Sequence, residues 1–482
     1  MRVVMAFAVN TLFNFIIGLM VAKFLGPEEY GRFALALAVA IVIQTALFDW
    51  VKLSATRLYS EKSRQFNPAL RATLDVAFAV LAVGLAVAGM AIFFAGVEFK
   101  LSSGLIGLAL AAAIANGLFD YHTALVRARF MDRDYAKLVI VKNLAAFGLT
   151  GGGAFFFGSA KMALMGACLS IAGSVVTVRR ALHDPQSPPR AATKVAGASA
   201  MHYAMPIVAA NVLYQLVPLF NRSVITDHHG FAEVGQFSLA YDIGVRIVSA
   251  IGSTLDVLLF QIAVAADEKH GVAEGKAQIA RNMALVFAIV LPAVLGLWLV
   301  LPSFELLVVP EKFRGPFAHY LGLLMPGLFC YAMINYAINP VFQLAKRTAP
   351  LILAAVAAAG VNVALVFLLP RGGDASSIAM AQTAMFFTAF VALAMFALFT
   401  RPKLPSLHDI MTAMVGGAAM AAALAPMRAW PPGAATLAVQ VATGVAIYGG
   451  IILAFDTAGL RAVLLARLRP RRAAAAQRHP ML

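Results

Sequence analysis

Residues 24–36 read FLGPEEYGRFALA. They interrupt two long apolar runs, 3–25 and 31–56, with two glycines, a proline and two glutamates. Each polar residue suits a tight turn between helices. Gly26 can take the conformation that ends a helix. Pro27 suits a first helical position, and Glu28 and Glu29 favour a helix N-terminus. The flanking runs reach the roughly 20 residues that a helix needs to cross a bilayer. A membrane-spanning helical pair at the start of the chain sets the reading of everything after it.

The rest of the 482 residues agrees. Hydrophobic residues make up 61%, charged residues only 12%, and the mean hydropathy is +0.84. A soluble domain has about 25% charged residues, so this chain lacks the polar surface to cover a soluble core. Helices satisfy their own backbone in lipid. We expect an all-α polytopic membrane protein with about 14 transmembrane helices, at 3–25, 31–56, 70–96, 102–127, 136–157, 161–180, 200–226, 234–265, 277–302, 316–345, 349–369, 376–400, 407–427 and 434–455. The N-terminal run is too long for a signal peptide and lacks a small-residue cleavage site, so it is read as a retained first span.

The net charge of +16 has a membrane explanation. With the N-terminus inside, 26 of the 38 Lys and Arg fall in inner segments and 8 in outer ones. Lys52, Lys142, Arg222 and Arg246 fall within spans. That alternation is the positive-inside rule. It places both termini in the cytoplasm, puts FLGPEEYGRFALA on the outer side, and removes nucleic acid as an expected partner.

The Pro-rich stretch 181–199 divides the chain. The expected domains are a six-helix half-bundle over 1–180, a cytoplasmic linker over 181–199, a second six-helix half-bundle over 200–400, two added helices over 401–460, and a basic cytoplasmic tail over 461–482 that lies on anionic lipid. An internal repeat links the halves. NTLFN at 10–14 lies over NVLYQ at 211–215, and YGRFALA at 30–36 over VGQFSLA at 234–240. The offset moves from 201 to 204, which implies a second turn three residues longer. The third span aligns with the ninth at the later offset. Repeats six spans apart share an orientation, so an axis along the membrane normal can relate the halves.

Polar residues form stripes within the spans. Ser238, Asp242, Arg246, Ser249, Ser253 and Asp256 share one helical face. Asn211, Gln215, Pro218 and Arg222 form another. Asn116, Asp120, Thr123 and Arg127 form a third, and Asn335, Asn339 and Gln343 a fourth. Asn10 and Asn14 mark the first span, and Gln44, Asp49 and Lys52 the second. Amide stripes also glue helices together, and a closed Asp242–Arg246 pair one turn apart needs no substrate. The alternative is a polar cavity between the halves. His122 and His202 are read as structural, and His228 and His229 as solvated residues of an outer loop. Cys168 and Cys330 are read as small hydrophobes, and the GGG at 151–153 as close helix packing. There is no nucleotide-binding Gly-rich loop, HExxH or cysteine pair. No cofactor, metal or catalytic residue is therefore expected, and the chain is read as a non-enzyme.

The N-terminal span followed by LGPEEYG-F-A resembles the bacterial polysaccharide flippases, the O-antigen and exopolysaccharide translocases of the multidrug/oligosaccharidyl-lipid/polysaccharide exporter superfamily. The motif covers roughly the first 60 residues. The span plan and the repeat extend the likeness over most of the chain. The resemblance implies two half-bundles around a partly cationic cavity lined by spans one, two, seven and eight. The cargo it implies is an oligosaccharide repeat unit on undecaprenyl pyrophosphate, turned outward across the bacterial inner membrane for polysaccharide or lipopolysaccharide biosynthesis. Polysaccharide polymerase and chain-length machinery are the implied partners. On this reading Arg246 and Arg222 attract the pyrophosphate, Asp242 holds Arg246 in the empty site, and Asn10, Asn14, Asn211, Gln215 and Gln44 line the cavity. Asp49, Asp120 and Asp242 are candidates for ion coupling. The rivals are a cation-coupled multidrug exporter of the same superfamily and a membrane glycan polymerase or ligase.

Overall fold

Every described element is a helix. The computed structural model describes residues 2–59, 68–345, 349–370, 372–399 and 402–461, with side chains from Asn10 onward and without those of 253, 254 and 256–258. The predicted basic tail lies outside the described residues from 462 on, and the side chains of Ser253 and Asp256 from the predicted stripe also lie outside them.

The helices are α1 (2–25), α2 (27–47), α3 (Asp49–Leu58), α4 (Pro68–Phe94), α5 (Ser103–Ala128), α6 (Asp132–Phe157), α7 (Ala160–Leu182), α8 (194–229), α9 (231–270), α10 (Val272–Leu299), α11 (Leu301–Val308), α12 (Pro316–Leu344), α13 (Ala349–Leu368), α14 (Ser376–Phe399), α15 (Leu407–Leu424) and α16 (Ala434–Ala454). Twelve continuous helical stretches are long and apolar enough to cross a membrane. Two of them are bent pairs. Arg2–Leu47 breaks at Gly26 (φ 71°), and Lys194–His270 breaks at Gly230 (φ 81°). Ten single helices and two bent pairs give fourteen spans among the described residues. The turn read from GPEEYG is thus a single left-handed glycine, which an L side chain adopts only with strain.

Packing divides the chain into two compact units. One comprises Met1–Ala250, Val308–Gly327 and Thr348–Ala389, and the other Ile251–Leu307, Leu328–Arg347 and Phe390–Leu482. The division passes through α9, α12 and α14.

In the first unit an aromatic cluster ties α2 and α3 to α4 and α5. The Phe48 and Phe78 rings lie 4.8 Å apart and Phe78 stacks on Tyr121 at 5.9 Å. Gly117 makes room for Phe48, since a Cβ there would lie 2.8 Å from the ring. The GGG stretch does bring helices together. A Cβ at Gly153 would lie 2.6 Å from the Met162 carbonyl oxygen of α7, and one at Gly166 would overlap the Leu149 carbonyl of α6. α4 buries only 11% of its most apolar window, and Val80, Val83, Val87, Phe93 and Phe94 are exposed on it. Lipid is the solvent that suits such a face.

In the second unit α15 and α16 pack with α10 around Met420, Leu424, Tyr448 and Ile452. Two buried side chains donate to backbone carbonyls. Tyr448 Oη donates to the Ala288 carbonyl at 2.6 Å, and Gln440 Nε2 to the Met427 carbonyl at 2.9 Å. α12 contains a π turn over Ile334–Ile338. The wider turn takes Asn335 out of the predicted Asn335–Asn339–Gln343 stripe, because side chains four apart across it no longer stack, while Asn339 and Gln343 share the regular turn Asn339–Leu344. Asn335 instead donates to the Tyr331 carbonyl at 2.8 Å.

Candidate functional site

The two glycine bends position the site. At a constant offset of 204, GPEEYGRFALA (26–36) lies over GFAEVGQFSLA (230–240). The sequence reading began this match at Tyr30 and so missed Gly26 over Gly230 and Glu29 over Glu233. Its inference of a longer second turn is corrected. Both turns are one glycine, and the three extra residues lie inside α8, between Gln215 and Gly230.

The repeated residues meet. A Cβ on Gly31 would overlap the Phe231 carbonyl oxygen, and one on Gly235 would overlap the Pro27 carbonyl oxygen. Pro27 and Phe231 are themselves 204 apart, so the contact is reciprocal, as a two-fold relation between the segments requires. Phe33, Ala34, Leu35 and Ala36 are buried, as are Phe237, Ser238, Leu239 and Ala240. Arg32 lies over the Phe231 ring at 5.1 Å. The glutamates repeat as well. Glu29 accepts from the Ala160 amide at the start of α7 at 2.8 Å and pairs with Arg32. Glu233 accepts from the Ala375 amide before α14 at 3.3 Å and from Tyr320 Oη. Each glutamate satisfies an open amide where another helix begins. Beside Ala375, the Asp374 carboxyl is held below the usual carboxylate range. Its slight burial opposes this, but the Ser376 amide and hydroxyl and the nearby His319 outweigh it.

Below the bends, charges from α6, α8 and α9 lie near the amides of α1. Asn14 lies twelve residues from Gly26 and Lys142 fifteen from the end of α6, so both sit about 20 Å along their helices. Lys142 Nζ donates to Asn10 Oδ1 and Asn14 Oδ1, each at 3.2 Å. Asn143 Nδ2 donates to Asn10 Oδ1 at 3.1 Å. Arg246 Nη1 donates to the Asn14 backbone carbonyl. Gly18, one turn on, leaves the space for it, since a Cβ there would stand 2.6 Å from Nη1. Two cations thus meet at Asn14, and neither is in an ion pair among the described residues.

Asp242 does not hold Arg246, as the i,i+4 spacing had suggested. It pairs with Arg222 of α8 at 2.6 Å, and Arg222 Nη1 donates to the Ala34 carbonyl at 3.2 Å. The Arg222 side chain is 5% exposed. A guanidinium buried so deeply needs the counter-charge more than half-buried Arg246 does.

A separate cluster contains the acidic candidates. Asp120 accepts from Lys52 at 2.7 Å and from Gln44 at 3.1 Å, while Asp49 lies 3.9 Å from Lys52. Gln44 therefore belongs with this group rather than with Arg246. Asn211 is half-buried and Gln215 exposed on α8. His122 Nδ1 donates to the Leu118 carbonyl at 2.8 Å and His202 is exposed. His228 and His229 end α8 rather than lying in a loop.

The sequence marks Lys142 only as a basic residue within a span and selects neither it nor Asn143 for the site. They belong to no polar stripe, so helical spacing does not select them. The available signal was simpler: an intramembrane lysine is by default a functional candidate.

The helix order and bends can be set against solved structures. The lipid II flippase MurJ, in an inward closed conformation, superposes with a TM-score of 0.71 at 13% identity, covering 94% of this chain and 98% of that one. This is the MurJ–MATE fold. An inward-facing multidrug resistance MATE family transporter of the MOP superfamily matches with a TM-score of 0.55 at 13% identity, over 81% of this chain and 95% of that one. A MATE in complex with MaD5 gives 0.53 at 15% identity, over 83% and 93%. No protein-family model and no curated protein sequence matches the chain. The MurJ–MATE fold therefore emerges from the three-dimensional arrangement and agrees with the superfamily that the N-terminal motif resembles.

Proposed function

We propose that the chain is a flippase. It would carry undecaprenyl-pyrophosphate-linked oligosaccharide repeat units from the inner to the outer leaflet of the bacterial inner membrane, for polysaccharide biosynthesis. The observation that carries this reading is the pair Lys142 and Arg246, two cations without carboxylate partners among the described residues, meeting at Asn14 deep within the spans.

A pyrophosphate supplies what that pair lacks. Arg246 offers bidentate donors and Lys142 a compact charge. On cargo binding Lys142 would exchange Asn10 and Asn14 for phosphate oxygens, freeing both amides for sugar hydroxyls. Arg222, already neutralised by Asp242, would hold α8 to α9. Asn211 and Gln215 would meet the sugars farther along α8. The Lys52–Asp120–Gln44 group, with Asp49 beside it, would be where a coupling ion acts.

The Gly31–Gly235 seam would seal the outer end in this state, with both termini cytoplasmic. Alternating access would part the half-bundles 1–180 and 200–400 there, with 401–460 as ancillary helices. An inside-negative potential favours outward movement of an anion by about 2.3 kcal/mol per charge per 100 mV. Polysaccharide polymerase and chain-length machinery would take the product at the outer face. The chain would make and break no covalent bond itself.

The test is genetic. A strain lacking the gene should accumulate lipid-linked repeat units on the cytoplasmic face. Wild type should clear them, and Lys142→Ala or Arg246→Ala at equal expression should not. Clearance by both variants would remove the cationic site from the mechanism. Drug efflux without such accumulation would favour a multidrug exporter.

A further inference from the structure

Two cavities meet at the loop between α14 and α15, within the second compact unit. The first, of about 410 Å³, is apolar. Met283 and Phe287 of α10, Met333 and Val341 of α12, and Phe390 and Leu398 of α14 help to line it. The lining from Leu398 back to Phe390 covers about 12 Å of α14 by helical rise. That depth approaches one leaflet of a hydrocarbon core about 30 Å thick. Val391, Met395 and Leu398 of the lining are exposed, so the α14 side is open. An apolar slot of leaflet depth that opens sideways is a place for an acyl chain.

Lys403 and Leu404 line this cavity and also a second one, of about 450 Å³. The second is polar. Arg281 of α10, Ser406 and Asp409 at the start of α15, and Ala458 beyond α16 contribute to its wall. Arg281 is answered by Glu274 at 3.4 Å. Lys403 and Asp409 are not answered: among the described residues neither is in an ion pair, with the other or with any other group. Both are accessible, Lys403 fully and Asp409 in part. Asp409 Oδ1 accepts from the Ala458 amide at 2.9 Å, and its Oδ2 has no partner among the described residues. Ser406 precedes α15 without capping it through its side chain, so its hydroxyl is also available.

A cation and an anion held apart on one wall do not call for a ligand of either sign alone. They suit a group that carries both charges. At the mouth of an acyl-chain slot, that group is the headgroup of a zwitterionic lipid. We propose that the two cavities together bind an aminophospholipid, with one acyl chain in the apolar cavity, the phosphate at Lys403 and Ser406, and the primary ammonium at Asp409. A primary ammonium donates charge-assisted hydrogen bonds to a carboxylate, whereas a quaternary one has no N–H to donate. The site shares no residue with the Lys142–Arg246 cluster, so it stands or falls independently of the transport reading.

The test uses the purified full chain in nanodiscs holding equal parts of phosphatidylethanolamine, phosphatidylcholine and phosphatidylglycerol with the same acyl chains. Native mass spectrometry identifies the lipid that stays bound on release. We expect phosphatidylethanolamine to be retained about 10-fold over phosphatidylcholine, the scale of one charge-assisted hydrogen bond. Asp409→Asn keeps an acceptor for the Ala458 amide and should abolish that preference without lowering phosphatidylcholine. Lys403→Gln should lower all three lipids alike, since each carries a phosphate. Ala394→Trp, which fills the apolar cavity, should do the same; Lys403 and Asp409 test the site even if that variant fails to fold. Equal retention of the three lipids, a preference for phosphatidylglycerol, or a phosphatidylethanolamine preference that survives Asp409→Asn overturns the proposal. Displacement of the retained lipid by equimolar undecaprenyl phosphate also overturns it, by assigning the cavities to cargo.

Discussion

Replacing Gly235 by alanine tests the seam between the two bends. The new Cβ would overlap the Pro27 carbonyl oxygen and lie 2.9 Å from its carbon and 3.1 Å from the Gly31 nitrogen. All three neighbours are backbone, so no side chain can swing aside. Overpacking of this kind costs about 1–3 kcal/mol. Alanine also gains about 1 kcal/mol of helix propensity over glycine. That gain applies whether the seam is closed or parted, so it cancels from their ratio. The closed form should therefore lose ground by about 5–150-fold relative to a parted one. Gly31→Ala should act in the same way against Phe231, because the contact is reciprocal. Spin labels at positions 28 and 232 would report the change as a shift of the distance distribution to longer values in either variant. A distribution unchanged in both, with folding intact, would refute the reasoning.

Lys142→Ala and Arg246→Ala should each lower export at least about 10-fold, the scale of one charge-assisted contact, while Lys142→Arg should retain part of it; polysaccharide output at matched expression is the measure. Glu29→Gln and Glu233→Gln should each lower stability by about 1–2 kcal/mol through weaker capping of α7 and of the 375 turn, read from thermal unfolding in detergent. Asp374 titrates below the usual carboxylate range in the folded chain, so its contribution is complete above the unfolded carboxylate pKa and is lost as pH falls through the lower folded value. Asp374→Asn should flatten that acid limb in a pH series of unfolding midpoints.

The span count was legible because hydropathy and charge alternation act helix by helix and need no tertiary knowledge. Its one difficulty, two stretches of 46 and 77 residues that each join two spans, is resolved at Gly26 and Gly230, whose non-helical φ/ψ ends one helix where the next begins. The repeat was visible through Gly31 and Gly235. Its purpose was not, because a backbone–backbone crossing leaves no mark except the missing side chains. Glu29 read locally as a helix-start residue, yet its acceptor role extends to α7, 131 positions away.

Within the site, helical spacing gave faces but not partners. It placed Asp242 and Arg246 together, whereas burial assigned Asp242 to Arg222 on the neighbouring helix. It passed over Lys142, which stands alone on its own helix and acquires meaning only beside Asn10 and Asn14. The step from Asn335 to Asn339 failed because a π turn changes the period that the pattern assumes.

Reconstitution tests the transport claim most directly. The purified chain would be placed in liposomes with a pyrophosphate-linked oligosaccharide on a polyprenyl carrier, and a membrane-impermeant glycosidase or lectin would score the exposed leaflet. The account predicts that the glycolipid crosses to the other leaflet with wild-type protein and that Lys142→Ala with Arg246→Ala abolishes this. Equal crossing with the double variant, or none with wild-type protein under an imposed potential or ion gradient, would contradict it.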